Sequence, residues 1–512
     1  MDMSLRAALA GLNGLPGAAG APGATGATGA TGADGAVGPV GPPGPPGEGS
    51  GSGSTTFSIN VSAYGAVGDG KWFFDCSVTS GSDIATAPSG TFAVGDVGKI
   101  LNVAYHSTAP GGLSKDASFN TTIVAFVDSA HVQMAISSTI SDTTAQFVFG
   151  TDDGAAIIAA VAAMNASPGI TRVDFDNRIY LSTLTISLTT SYKGLAGADI
   201  GVGSLWGYYP YYYAPSVIAD NHATGTMLVY VGAPQSIRFI SVIGNTTQDI
   251  WGAFLHNLCV DGRFRAGSVI YEAATVTCDY KNIVVQAKDV SDIRFAWHCE
   301  SLTPNSADYP NPGFSRINCV YANRYTRCRV VGTWLLSGAS ASYGGTNTCF
   351  CTFYSCSWSN LEIWAADDNQ FFGCFSIGGS VTFDSAKKGA AGKPVETCTF
   401  YGLLVQGTAG GAGIVANGSK VIGCRIYGLS GTDNPINVSV TSGADLFYDY
   451  LGSALGGAIP HDRVPALKVV GDYFMLTETA DGILSTAALG AYAGKIKISV
   501  GGVTKWIPYY DN

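Results

Sequence analysis

Between residues 349 and 426 the chain repeats one short phrase. Cys356-Ser357-Trp358, Cys374-Phe375-Ser376-Ile377, Cys398-Thr399-Phe400 and Cys424-Arg425-Ile426 each set a cysteine before a large apolar residue, bounded by Gly, Ser or Asn. Apolar and polar positions alternating with period two mark a half-buried strand, and the bounding residues are turn formers. The four cysteines are 18, 24 and 26 residues apart. Such a spacing predicts a solenoid in which each unit buries its apolar face only by stacking on the next. Similar runs at 172–176, 178–182, 237–243, 254–260, 280–285 and 314–320 extend the pattern upstream. The expected fold class is all-β, a parallel β-helix. Asn257 and Asn282 each precede an apolar pair and are expected to stack in the turns, satisfying backbone groups rather than doing chemistry.

The pattern changes at both ends. Residues 59–70 read as an alternating strand running into a glycine-rich turn, and 151–163 as a helix capped by Thr151 with Asp152 and Asp153 in its first turn. A helix laid over the first coil would cover its core and its unpaired strand edge. Residues 71–150 hold strand signals at 97–103, 121–127, 131–136 and 145–149, which predict a small β insert. Beyond about 442 come a helix-like stretch at 451–458 and two alternating runs, 495–500 and 503–508, joined by Gly501-Gly502 as a terminal hairpin.

From Gly11 to Gly47 glycine falls at every third position. Three polyproline-like chains leave room only for hydrogen at their shared axis, so the strict period predicts a collagen-like triple helix and a homotrimer. Its length would be on the order of 100 Å. The proline-rich end, 41–47, is the stiffest part and is expected to zip first. The boundaries that follow are an N-terminal anchor at 1–10, a triple helix at 11–48, a Gly/Ser linker at 49–56, a β-helix body at 57–70 and 151–440, the insert at 71–150, and a C-terminal β region at 441–512.

The stretches NVSAYGAVGDG, 60–70, and TDDGAAIIAAVAA, 151–163, resemble the N-terminal signature of the pectate-lyase-like superfamily, right-handed single-stranded β-helices, and within it the bacteriophage tailspike and depolymerase branch. In that family the two halves run together and a threonine stands where this chain has Gly154. The resemblance implies a right-handed β-helix with an N-terminal capping helix, in a virion tail protein that recognises and degrades a host cell-surface polysaccharide. It also implies attachment to other tail proteins through the N-terminal segment. A non-enzymatic adhesive trimer is the alternative, and a secreted bacterial polysaccharide lyase or hydrolase a third.

Composition narrows the partners. Charged residues make up 12% of 512 and the net charge is −10, which opposes binding to nucleic acid or to an anionic membrane. The longest apolar run, 155–164, is far short of the ~20 residues of a membrane span, and residues 1–10 lack the apolar core of a signal peptide. A protein made in the host cytoplasm without export is expected. The twelve cysteines then read as buried thiols filling a core. His298-Cys299-Glu300 and Cys349-Phe350-Cys351 lack a complete ligand set, so neither a metal nor another cofactor is expected.

Hydrolysis or elimination at a glycosidic bond calls for carboxylates on one outward strip. With Leu361 and Ile363 inward, Glu362 and Trp364 face out, and with Val381 and Phe383 inward Asp384 does too. Glu362 and Asp384, about one coil apart at ~4.8 Å per strand, form a candidate catalytic pair at a retaining-glycosidase spacing, with Trp364 to stack on a sugar. Asp367-Asp368 is the second candidate. It matches the Asp-Asp of polygalacturonase-like hydrolases, but Arg425-Ile426-Tyr427 lacks that family's lysine and no Gly-His-Gly occurs. The aromatic run at 205–213, with Trp206, Tyr208, Tyr209, Tyr211 and Tyr212, reads equally as a glycan-stacking platform or a trimer contact.

Overall fold

A computed structural model describes residues 57–104, 118–199, 218–219, 222–223, 225–233, 238–244, 248–287 apart from 264, 295–300, 319–337, 348–384 apart from 378, 395–406, 412–417 and 421–432, with further strands between 437 and 510. The chain divides into two units, Met1–Ser54 and Thr55–Asn512, and all described residues lie in the second. The anchor, the glycine triplets, the aromatic run at 205–213 and the stretch 451–458 lie outside them.

Among the described residues the second unit is nearly all β, with 24 strands joined in one sheet whose pairings are parallel. Each strand pairs with the one a coil further on, an arrangement compatible with a β-helix. The first leg of the coil shows how the sequence sets the stack. Leu255, Tyr280, Tyr325, Phe353, Phe371, Phe400 and Ile426 occupy one register and are fully buried. Strands ~4.8 Å apart bring like rings face to face. Phe353, Phe371 and Phe400 accordingly stack at 4.3 and 4.1 Å. The leg ends in a left-handed residue, Asn257, Asn282, Arg327, Ser355, Gly373, Gly402 or Gly428 in successive coils. Asn282 donates its amide to Asn257 Oδ1 at 2.8 Å, so these asparagines shape the turn.

The cysteines of the repeated phrase form two columns rather than one. Cys278, Asn323, Cys351, Asn369, Cys398 and Cys424 precede the first leg, whereas Cys328, Cys356 and Cys374 precede the second. The 24-residue step from Cys374 to Cys398 is therefore not a coil: Cys351 to Asn369 is one of 18 residues and Asn369 to Cys398 one of 29. Two corners each need a small apolar residue, and cysteine answers both. Asn323 and Asn369 take cysteine positions because their Oδ1 atoms accept the backbone N–H of Cys278 and Cys351.

The N-terminal motif does something other than cap a helix. Ser58–Asn60 pairs in parallel with Arg172–Phe175, but the strand stops at Asn60, whose side chain accepts from Ser62 N and opens the 3-10 turn Val61–Tyr64. Helix α1 spans Gly154–Ala166 and buries Ile157, Ala160, Val161 and Met164 against Val61, Val173, Ile186 and Leu188. Thr151 is not its cap, and neither acid lies in its first turn. Asp153 at the N-cap position instead accepts from Val67 N and Gly68 N at 2.6 and 3.1 Å, and Asp69 accepts from Thr151 N at 2.8 Å. The two halves of the motif are knitted together by carboxylates even though residues 71–150 separate them. Gly70 is required by contact: a Cβ there would meet Ile179 Cγ2 at 2.6 Å. Burial pushes the Asp153 carboxyl up to about 6. We expect Asp153→Ala to leave two backbone N–H groups without their acceptor and cost ~1–3 kcal/mol. Denaturant midpoints check this, and an unchanged midpoint contradicts it.

Within 71–150 the described residues make a closed barrel of six strands with its own core of Phe73, Leu101, Ile123, Val132, Phe147 and Phe149. Trp72 docks it on Ile179, Leu181, Met227 and Val229 of the stack. The buried Arg263 lies 4.4 Å over the Trp72 ring and donates to Asn102 Oδ1 at 2.7 Å. Near the C-terminus, Tyr492–Val500 pairs antiparallel with Val503–Tyr510. No described helix is long and apolar enough to cross a membrane.

Candidate functional site

The third leg of the coil carries the candidate chemistry. It is built from Ser268–Ala273, Phe295–Glu300, the second halves of Arg329–Leu336 and Ser357–Ile363, and Val381–Asp384. In-register pairing aligns Ile270, Trp297, Trp334, Leu361 and Val381 inward, all fully buried. The pleat then turns two columns outward. One holds Tyr271, His298, Leu335, Glu362 and Thr382. In the other, Glu300, Trp364 and Asp384 follow the paired residues Cys299, Ile363 and Phe383.

Glu362 and Trp364 face out as the alternation predicts. Glu362 stands opposite Thr382, however, and Asp384 lies one coil on and two residues along. The two residues are thus diagonal neighbours, with Cα atoms ~8 Å apart, rather than facing ones at ~4.8 Å. That corrects the retaining spacing read from the sequence. The cause is the unequal coil: the two carboxylates are 22 residues apart, while Leu361 pairs with Val381, only 20 residues on. Asp384 is turned outward but is only 8% exposed.

Trp364 is held as a fixed plate. Its indole N–H donates to Glu362 Oε2 at 2.8 Å, and the Phe295 ring meets it edge-on with centroids 5.9 Å apart. Glu362 and Trp364 are two residues apart on one face, so this bond follows from the pleat.

Three further groups share the strip and were missed from the sequence. His298 and Glu300 flank the inward Cys299 and so lie on one side, the same alternation that pairs Glu362 with Trp364. Tyr271 donates its hydroxyl to Glu300 Oε2 at 2.8 Å, and His298 Nε2 lies 3.9 Å from the same oxygen. The Arg238 guanidinium sits 3.3 Å over the Tyr271 ring. Burial, and then the Glu300 charge, push the Tyr271 phenol well up, so it stays a proton donor.

No protein-family model matches the chain, and no curated protein matches it. Among solved structures it is similar to ORF18 of Geobacillus virus E2, at 14% identity and a TM-score of 0.35, over 59% of this chain and 59% of that one. It is also similar to the catalytic domain of a GH87 alpha-1,3-glucanase in complex with nigerose, at 9% identity and 0.34, over 75% and 78% of the two chains. A third likeness is to the tailspike protein gp49 from Pseudomonas phage LKA1, at 12% identity and 0.22, over 76% and 64%. The chain thus spans less than two thirds of the two viral proteins. These likenesses are slight.

The remaining candidates lie elsewhere. Asp367 is on the fourth leg, where its Oδ1 accepts from Thr397 Oγ1 at 3.1 Å, and Asp368 has a left-handed φ of 51° and donates its N–H to Glu396 O. They form a turn on the next face of the coil and are not brought into the columns of Glu362 and Asp384. Trp206, Tyr208, Tyr209, Tyr211 and Tyr212 lie outside the described residues. Glu272 is inward and fully buried, accepting from the Trp297 indole, from Asn323 Nδ2 at 3.1 Å and from Tyr325 OH at 3.1 Å. It belongs to the core.

Two outward carboxylates set diagonally rather than face to face leave room for a water between one of them and a sugar carbon, the arrangement that single-displacement glycoside hydrolysis uses. An indole plate beside them suits the apolar face of a pyranose.

Proposed function

We propose that the chain is a trimeric virion tail spike whose right-handed parallel β-helix, capped by α1, binds a host cell-surface polysaccharide along the third leg and hydrolyses it with inversion. The diagonal placement of Glu362 and Asp384 around the tethered Trp364 carries this reading. A sugar stacks on Trp364. Glu362, the more exposed carboxylate, takes a proton from the attacking water. Asp384 gives its proton to the leaving oxygen as the glycosidic C–O bond breaks and the new C–O bond forms. His298 and Glu300, two coils upstream, extend the strip with hydrogen-bonding groups for neighbouring sugars, and the buried Tyr271 holds Glu300 in place. The glycine triplets at 11–47 hold three chains together, and the segment before them attaches to other tail proteins.

The full chain, incubated with purified capsule or lipopolysaccharide from a sensitive host, is expected to shorten the polymer and release oligosaccharides, read by size-exclusion chromatography. Adsorption to cells with no shortening replaces this reading with a non-enzymatic adhesive trimer.

A further inference from the structure

The outer face of the first leg carries a stripe that hydrolysis does not use. Tyr354, Phe372, Tyr401 and Tyr427 occupy one outward register on four successive coils. Their rings stack with centroids 5.1, 4.9 and 5.8 Å apart and planes within 12°, 7° and 21° of parallel. Tyr354 and Tyr401 are 40% and 43% exposed. In the coils upstream the same register is polar, with His256, Lys281 and Thr326. The pleat therefore does not require aromatic residues here, and a contiguous aromatic stripe on a surface marks a contact.

Two occupants fit the chemistry of aromatic rings, a sugar chain and a protein face. Sugars stack on open ring faces. In this stripe the rings cover one another's faces and present mainly edges and hydroxyls, which suits a protein. Gln370 and Arg425, exposed in the adjacent outward register, supply the polar rim that such contacts have.

We infer that the stripe packs against a second copy of this chain. This rests on the trimer reading of the glycine triplets. Only residues 48–56 separate the last triplet glycine, Gly47, from Phe57, a span of at most ~36 Å of extended chain. Tethers that short hold sister bodies at millimolar effective concentration, where a contact well below the ~1,600 Å² of a free-standing interface suffices. The stripe runs along the stacking direction, so two copies lying side by side meet it over its full length.

The test is photo-crosslinking of the full chain carrying p-benzoylphenylalanine in place of Tyr401, of Tyr354, or of Lys281 as a control in the polar half of the register. Sedimentation gives the assembly mass before irradiation. A three-chain mass, with crosslinked dimers at Tyr401 and Tyr354 but not at Lys281, is expected. A three-chain mass with no crosslink at either tyrosine, or with adducts to added polysaccharide alone, overturns the contact and leaves the trimer standing. A single-chain mass overturns the trimer reading and the contact with it.

Discussion

Glu362→Gln and Asp384→Asn are each expected to cut polysaccharide cleavage by about a hundredfold or more, the size of a lost general acid or base. Adsorption to cells should survive both. The amide oxygen introduced by Glu362→Gln can still accept the Trp364 indole N–H now held by Glu362 Oε2, so the stacking plate keeps its place and the loss reports on proton transfer. Because the two carboxylates serve one displacement, the double variant should fall little below the worse single one. Initial rates of reducing-end formation measure all three. Wild-type turnover in either single variant removes that residue from the reaction.

Glu272→Gln is expected to remove much of the pH dependence of folding. Burial pushes the Glu272 carboxyl from 4.5 up to about 7, against the hydrogen bonds from Trp297, Tyr325 and Asn323 that favour its charged form. A raised acid pKa means the folded chain holds a proton that the unfolded chain gives up. The stability it contributes is complete below about 4.5 and is lost as pH rises to about 7. The loss is about 3 kcal/mol for a group with no solvent around it. Asp153, raised to about 6 for the same reason, acts in the same direction in both proteins, so the difference between them isolates Glu272. In the variant Tyr325 OH can turn to accept from the new amide. Denaturant midpoints from pH 4 to 8 should fall for the wild type and fall less for Glu272→Gln. Parallel curves contradict a buried, proton-holding Glu272.

Alternation along each strand is legible in the sequence, and it correctly turns Leu361, Ile363, Val381 and Phe383 inward and Glu362 outward. Register between coils is not, because coils differ in length with the loops they carry. The step from Phe353 to Phe371 is 18 residues and that from Phe371 to Phe400 is 29, and no local pattern announces the change. That is why two cysteine columns read as one and why the sequence sets Glu362 opposite Asp384. Asp152 and Asp153 look like a helix start in sequence, whereas Asp153 meets backbone 86 residues away. His298 and Glu300 carry the same two-apart signal as Glu362 and Trp364, but with an inward cysteine between them the triplet reads first as a metal motif.

Proton NMR of the first-formed oligosaccharide separates the two placements of Glu362 and Asp384. Diagonally placed carboxylates with room for a water predict a product whose new reducing end has the anomeric configuration opposite to that of the bond cleaved. Retention of configuration would contradict the diagonal pair as the catalytic centre.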